Sequence, residues 1–337
     1  MRSFLTRLPD HLDPEFIPYS IHGLRSKVRP SILFQRLLLA VLCAYAGYFL
    51  ADILLVDYVQ DANQYRLNLD NGVYHDDYNV TLFALSVRTI VALLPNGDPF
   101  LVLGSFTCAT YIYLALRSSA PWYKIAIFLI FLPLPLMEFN YTQVIRQGVA
   151  TALLLIALFS NNMIASSILF ALGGAMHLSY APFAAIAFVR TVLTNSVDPL
   201  ASHRTKRETR FDRAIFFAIP AIWIILALYQ DILFSADRVD IYISYNLDLF
   251  KRLSASIMMI GIAWLIYPKS DRAIGSFMAY VTVSVAIILP FTYDFLRMQT
   301  YNMPFILFAA LTCRDSRRSI IALIICLILS IYIRPEL

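Results

Sequence analysis

FNYTQVIRQGVATALLLIALFSNNMIASSILFALGGAMHLSYAP, residues 139–182, holds two apolar runs on either side of the polar pair Asn161-Asn162, and how it folds decides the rest. Each run carries one ionisable residue near the end remote from that pair, Arg146 in the first and His177 in the second. Two helices joined by a tight turn at the asparagines, rising ~1.5 Å per residue, place Arg146 and His177 at one depth, roughly 23 Å from the turn. The two side chains can then share a site. A bilayer core is ~30 Å thick, so a charged group at that depth is expensive unless it faces protein groups or water. Gly148, Ala152, Gly173, Gly174 and Ala175 allow the two backbones to approach closely.

Composition points the same way. Hydrophobic residues make up 59% of the 337 and charged residues only 15%, which excludes a soluble globular protein and indicates a polytopic membrane protein. The formal charge of +5 does not argue for nucleic acid, because the basic residues sit in short segments between apolar runs, as the positive-inside rule places them. Cys43, Cys108, Cys313 and Cys326 lie in or beside apolar runs without CxxC spacing, so neither a disulfide framework nor a metal site is expected. No cleavable signal peptide is expected either, since residues 1–31 are polar and basic and the first apolar run is long enough to span.

The expected fold is all-α, a polytopic integral-membrane helical bundle of about eleven spans, each wanting ~20 residues. Residues 1–31 form a basic cytoplasmic tail and residues 32–337 a single transmembrane domain. Spans are expected at Ile32–Leu55, Pro99–Leu116, Trp122–Met137, Tyr141–Ser160, Met163–Ser179, Tyr180–Leu193, Ala214–Tyr229, Leu253–Tyr267, Ala273–Phe291, Met303–Cys313 and Ser319–Ile333. Pro133 and Pro135 are expected to bend the third of these, and Pro182 to open the sixth. Val80–Leu94, in the 80–95 region, is short and interrupted by Arg88, and reads as a re-entrant or interfacial helix. The Arg117/Lys124 loop, the segment from Arg190 to Arg213, the Lys269/Arg272 turn and the Arg314/Arg317/Arg318 turn then face the cytoplasm. The amino terminus lies inside and the carboxyl terminus outside. Tyr293–Asn302 is expected as a short outer segment.

This topology gathers Asp61, Tyr65, Arg88, Arg146, His177, Asp294 and Arg297 near the outer boundary. Arginine suits a diphosphate there, because its planar fork gives bidentate hydrogen bonds and keeps its charge when partly desolvated. A carboxylate or imidazole beside it can take a proton from an attacking hydroxyl. Each residue also has a plainer explanation. Arg146 reads equally as a snorkelling residue, His177 as a helix-end histidine on a backbone carbonyl, Arg297 as the partner of Asp294 in a surface bridge, and Arg88 as a solvated position on an amphipathic helix.

These pieces, in order, resemble the EpsG/Wzy family of bacterial polysaccharide polymerases. The likeness rests on Asp61-Ala62-Asn63-Gln64-Tyr65 after an early span and Asp76-Asp77 ahead of Val80. Arg146-Gln147-Gly148-Val149-Ala150 follows at the head of a span, then His177-Leu178-Ser179, and finally Arg297 to Tyr301. Tyr180 stands where alanine is common, and Leu54-Leu55-Val56 where an arginine often precedes the Asp/Tyr segment.

The resemblance implies an enzyme similar to the integral-membrane glycosyltransferases that use lipid-linked donors. It would act on undecaprenyl-diphosphate-linked oligosaccharide at the outer face of the bacterial inner membrane, without metal or other cofactor. A flippase and a chain-length regulator of the same pathway are the implied partners, beside the membrane lipid. His177, with Asp61 second, is expected as the base. Arg146, Arg297 and Arg88 are expected on the diphosphate, and Tyr65, Asp77, Gln147 and Tyr301 on sugar. The rival functions are a flippase of the lipid-linked unit, a ligase passing finished glycan to another lipid, and a membrane-embedded acyltransferase.

Overall fold

A computed structural model describes residues 30–54, 60–73, 81–118, 120–142, 144–160, 162–177, 180–194, 249–266 and 295–332, with isolated positions between 210 and 282. Every regular element among the described residues is a helix. In order they are α1 (Pro30–Leu54), α2 (Gln60–Asp70), α3 (Leu82–Leu93), α4 (Pro99–Arg117), α5 (Trp122–Ile130), α6 (Pro135–Thr142), α7 (Ile145–Leu158), α8 (Met163–Met176), α9 (Ala181–Thr194), α10 (Leu249–Ile266), α11 (Phe295–Thr312) and α12 (Ser316–Tyr332). Residues 1–38 and 39–337 form two compact units. Of the first, the described part is the opening of α1, where Leu33, Phe34, Leu37 and Leu38 are exposed.

Two helices are long and apolar enough to cross a membrane, Leu33–Leu54 of α1 and Pro99–Arg117 of α4. The pair α6 and α7, bent by 105°, makes a third if it is one broken span. The protein is therefore a membrane protein, but the described residues hold two or three candidate spans where about eleven of ~20 residues were expected. Part of the difference lies in proline. The expected span Trp122–Met137 is divided, because α5 stops at Ile130 and Pro135 opens α6 after a turn containing Pro133. Other pieces are short, since α3 has 12 residues and α7, α8 and α9 have 14 each, against the ~20 that a straight span wants. The expected spans Ala214–Tyr229 and Ala273–Phe291, the tail 1–29 and Asp77 lie outside the described residues.

Local sequence accounts for the helix boundaries. Asp98 caps α4, accepting from the amides of Phe100 at 2.8 Å and Leu101 at 3.4 Å, with Pro99 supplying the first helical position, where its missing N–H is not needed. Asn162 caps α8 through Ile164 and Ala165, so the polar pair that marks the turn also starts the next helix. Pro182 falls in the first turn of α9, as expected.

Small residues set the packing. Cys43, Gly47 and Ala51 recur every fourth residue and form a buried seam on α1, while Leu42, Tyr45, Phe49 and Ile53 remain exposed. A Cβ on Gly47 would lie 2.6 Å from the Ala109 amide nitrogen and 2.8 Å from the Ser105 carbonyl oxygen, so α1 lies against α4 backbone to backbone, a small-xxx-small contact. The hairpin α7/α8 is equally close. Arg146 meets Met176, Ala150 meets Gly173 and Ala157 meets Ser166, one antiparallel register centred on the asparagine pair. Gly148 faces the Asn140 carbonyl of α6, leaving no room for a side chain at the α6–α7 corner. Phe308 of α11 gathers Tyr111, Phe128 and Phe159 around it, which ties α4, α5 and α7 to the carboxyl-terminal helices.

Three further expectations are corrected. Arg190, expected in the basic cytoplasmic segment at the end of the helix Tyr180–Leu193, lies within α9 and is 5% exposed. Lys124, expected in a solvated turn, is 1% exposed, with its ammonium on the Cys313 carbonyl. The expected boundary between the outer segment Tyr293–Asn302 and the span Met303–Cys313 is not a break, since α11 is one helix from Phe295 to Thr312 with Pro304 inside it.

Candidate functional site

The site forms where the first turn of α7 meets the last turn of α8. Arg146 Nε donates to the Met176 carbonyl oxygen at 2.9 Å. That carbonyl is among the last of α8, whose terminal C=O groups have no partner within the helix and carry the negative end of its dipole. A cation is favoured there. His177 is the residue that ends α8, its amide bonding back to the Gly173 carbonyl at 3.3 Å. Arg146 thus bonds to the residue immediately before His177 at the terminus of α8.

α3 supplies the floor. The Arg146 guanidinium carbon stands 5.8 Å from the centre of the Phe83 ring, within the range of a cation–π contact worth about 0.5–1 kcal/mol at such sites. Phe83 packs in turn on Tyr65 of α2, 5.4 Å between ring centres, and Tyr65 stacks on Phe100 of α4 at 5.6 Å. Arg66, the next residue of α2, pairs with Asp98 at 2.9 Å and pins α2 to the start of α4. Aromatic packing and one ion pair therefore bring three chain-distant helix ends to Arg146.

The remaining wall is polar. The Thr151 hydroxyl donates to the Gln147 carbonyl at 3.1 Å and has no second proton, so the Tyr180 hydroxyl, 2.5 Å away, donates to Thr151. The Tyr180 ring meets the His177 ring edge-on at 5.9 Å, and its amide donates to the His177 carbonyl at 2.9 Å. Tyr180 thereby fastens the α8–α9 turn, and with it His177, to α7. Gln147 is 2% exposed, on the inward side of the same turn.

Arg146 is half-buried, and no carboxylate among the described residues pairs with it. Of its N–H groups, Nε–H alone is hydrogen-bonded to a described protein group, and neither Nη group has a partner among the described residues. That combination, a positioned guanidinium with no described partner on its Nη groups, suits bidentate binding of phosphate oxygens.

The expected residues divide as follows. Arg146, His177, Gln147 and Tyr65 come together around the α7–α8 ends, Tyr65 through Phe83. Asp61 lies in α2 one turn before Tyr65, and its side chain is outside the described residues, as Asp77 is entirely. Arg297 and Tyr301 occupy the first two turns of α11, on the side of Phe305 away from Cys313, and their side chains are likewise outside. Phe305 contacts Phe183 at 5.0 Å, so α11 is a neighbour of the α8–α9 turn. Arg88 is five residues beyond Phe83, about 140° around α3. The two do not share a face, which sets Arg88 apart from the others.

Phe83, Phe100 and Thr151 belong to the site and were not legible as such. A phenylalanine or threonine in an apolar run carries no mark that separates a site wall from ordinary packing. Among the described residues, no group of three or more His, Cys, Asp or Glu side chains is placed to hold a metal ion. Comparison with protein-family models, with curated proteins and with solved structures finds no match for the chain.

Proposed function

We propose that the protein is a polysaccharide polymerase of the kind its motifs resemble, a glycosyltransferase of about eleven spans, several of them shorter than the ~20 residues of a straight span, acting at the outer face of a bacterial inner membrane. The observation that carries this reading is Arg146, held by Nε on the carbonyl that precedes His177 at the terminus of α8, with no described partner on either Nη group.

In the proposed reaction the Nη groups hold the diphosphate of a lipid-linked glycan, with Arg297 closing from α11. The hydroxyl oxygen of an incoming lipid-linked repeat unit attacks the anomeric carbon of the growing glycan. The bond from that carbon to the diphosphate oxygen breaks, and undecaprenyl diphosphate departs with the bonding electrons. Arg146 neutralises the charge that develops on the leaving group, where a preorganised donor acts most strongly. The hydroxyl proton passes to His177, or to Asp61 if the imidazole is already protonated. Tyr65, half-buried and backed by the buried rings of Phe83 and Phe100, is the ring of this group that would meet sugar.

Placement of the site at the outer side follows from charge. α4 runs roughly 27 Å from Asp98, beside the site, to Arg117, at an end rich in arginine and lysine. The positive-inside rule puts the basic end in the cytoplasm and so the site opposite.

The test is purified protein in lipid, supplied with its lipid-linked repeat unit. A ladder of glycan lengths is expected, absent in Arg146→Lys. Translocation of the unit with no ladder would make the protein a flippase.

A further inference from the structure

Opposite the site, two turns that are far apart in the chain meet. The buried Lys124 Nζ donates to the Cys313 carbonyl at 2.6 Å, and the Tyr123 hydroxyl donates to Ser316 Oγ at 2.8 Å. The start of α5 is thereby bonded to the turn between α11 and α12. Arg318 joins α10 to the same place, its Nη1 donating to the Leu265 carbonyl at 3.3 Å.

This end concentrates positive charge. Arg117 ends α4, Lys124 is in the first turn of α5, and Arg314, Arg317 and Arg318 surround the α11–α12 turn. The carboxylate among these described residues, Asp315, is engaged internally. It accepts from the amides of Arg317 at 3.1 Å and Arg318 at 3.2 Å, and pairs with Arg318 Nε at 3.5 Å. Arg117, Arg314 and Arg317 are exposed.

Two large aromatics flank the charge. Trp122, beside Tyr123, is 79% exposed, and Trp264, beside Leu265, is 73% exposed. Tryptophan beside basic residues at one end of an apolar bundle marks the headgroup level of a bilayer. From Arg317 the exposed surface of α12 continues as Ile321, Ile324, Ile328 and Ile331, an apolar stripe that begins about 6 Å along the helix axis. A phosphate at Arg317 would have its acyl chains laid along those isoleucines.

We propose that the joined α4–α5 and α11–α12 turns form a binding site for an anionic phospholipid. Arg314 and Arg317 take the headgroup phosphate, Trp122 and Trp264 border the headgroup, and the isoleucine stripe of α12 takes an acyl chain. The shape of the site, cations leading directly into an apolar flank, fits a lipid and not a soluble polyanion. The site is independent of the polymerase reading.

Tryptophan emission reads it directly. The full chain carrying Trp223→Phe retains Trp122 and Trp264 as its fluorophores, both at this end. It is reconstituted with chain-brominated phosphatidylglycerol or phosphatidylcholine at equal mole fraction. The expected result is stronger quenching by the anionic lipid, with the preference falling about fivefold for each arginine removed in Arg314→Gln and Arg317→Gln. Equal quenching by the two lipids overturns the site, and a preference that survives the double substitution overturns the assignment to these arginines. Near-ultraviolet circular dichroism matching the parent establishes that the variants are folded. Inorganic phosphate, compared with sodium chloride of equal ionic strength, should leave the preference unchanged. Specific loss of the preference with phosphate would make this a soluble-anion site and overturn the lipid assignment.

Discussion

Arg146 reaches across the α7/α8 hairpin to the carbonyl oxygen of Met176, 2.9 Å away and thirty residues later in the chain. The bond does two things at once. It satisfies one of the unpaired carbonyls at the end of α8, and it holds the guanidinium by its Nε edge, while the Nη edge has no hydrogen-bond partner among the described residues.

Lysine in place of Arg146 keeps the charge and loses the fork. Arg146→Lys is expected to leave the protein at its normal level in the membrane and to abolish long glycan chains, read by gel profile. Arg146→Ala removes in addition a charged hydrogen bond to a helix terminus, so its thermal midpoint should fall by the equivalent of about 1.5–3 kcal/mol. Normal chain length in the lysine variant would remove Arg146 from catalysis.

Tyr180 anchors the turn that carries His177. Tyr180→Phe keeps the ring against His177 but removes the hydroxyl that donates to Thr151. Its stability should drop by about 0.5–1.5 kcal/mol. A pH profile of polymerisation displaced from that of the parent would mark Tyr180 as positioning the imidazole, and an unchanged profile would reduce it to packing.

Gly148 has the Asn140 carbonyl where a side chain would begin. Gly148→Ala therefore forces α6 away from α7, and an overpacking loss of about 1–3 kcal/mol is expected, measured as a lower midpoint in a detergent melt. Gly261, with nothing near its missing side chain, is the matched control, and Gly261→Ala should be neutral or slightly stabilising on helix propensity.

Orientation is open to labelling, because Cys43, Cys108, Cys313 and Cys326 are all buried and give little background. Arg317→Cys should react with a membrane-impermeant maleimide only from the cytoplasmic side, and Asn71→Cys, in the exposed turn after α2, only from the outside. Labelling of both from one side would contradict the proposed topology.

The hairpin was legible in the sequence because its signals agree. Two apolar runs, small residues at regular spacing and a central asparagine pair admit one register, and that register joins Arg146 to the end of α8. The tally of spans was not legible, because hydropathy cannot tell a crossing from a short buried helix. Residues 122–137 are apolar apart from Lys124, yet Pro133 and Pro135 divide them into α5 and α6. Lys124 and Arg190 misled for a related reason. A basic residue at the edge of an apolar run is read as solvated, whereas the backbone carbonyl that receives Lys124 belongs to a turn 189 residues away. Long-range partners of that kind leave no trace in local sequence.

The account stands on the Nη groups of Arg146 taking a diphosphate. The most direct measurement is the affinity of the reconstituted protein for a short-chain polyprenyl diphosphate, compared with the corresponding monophosphate, in the parent and in Arg146→Lys. The parent should prefer the diphosphate and the variant should lose at least about tenfold in diphosphate affinity, roughly 1.4 kcal/mol, with little change for the monophosphate. Equal affinity of parent and variant for the diphosphate would contradict it.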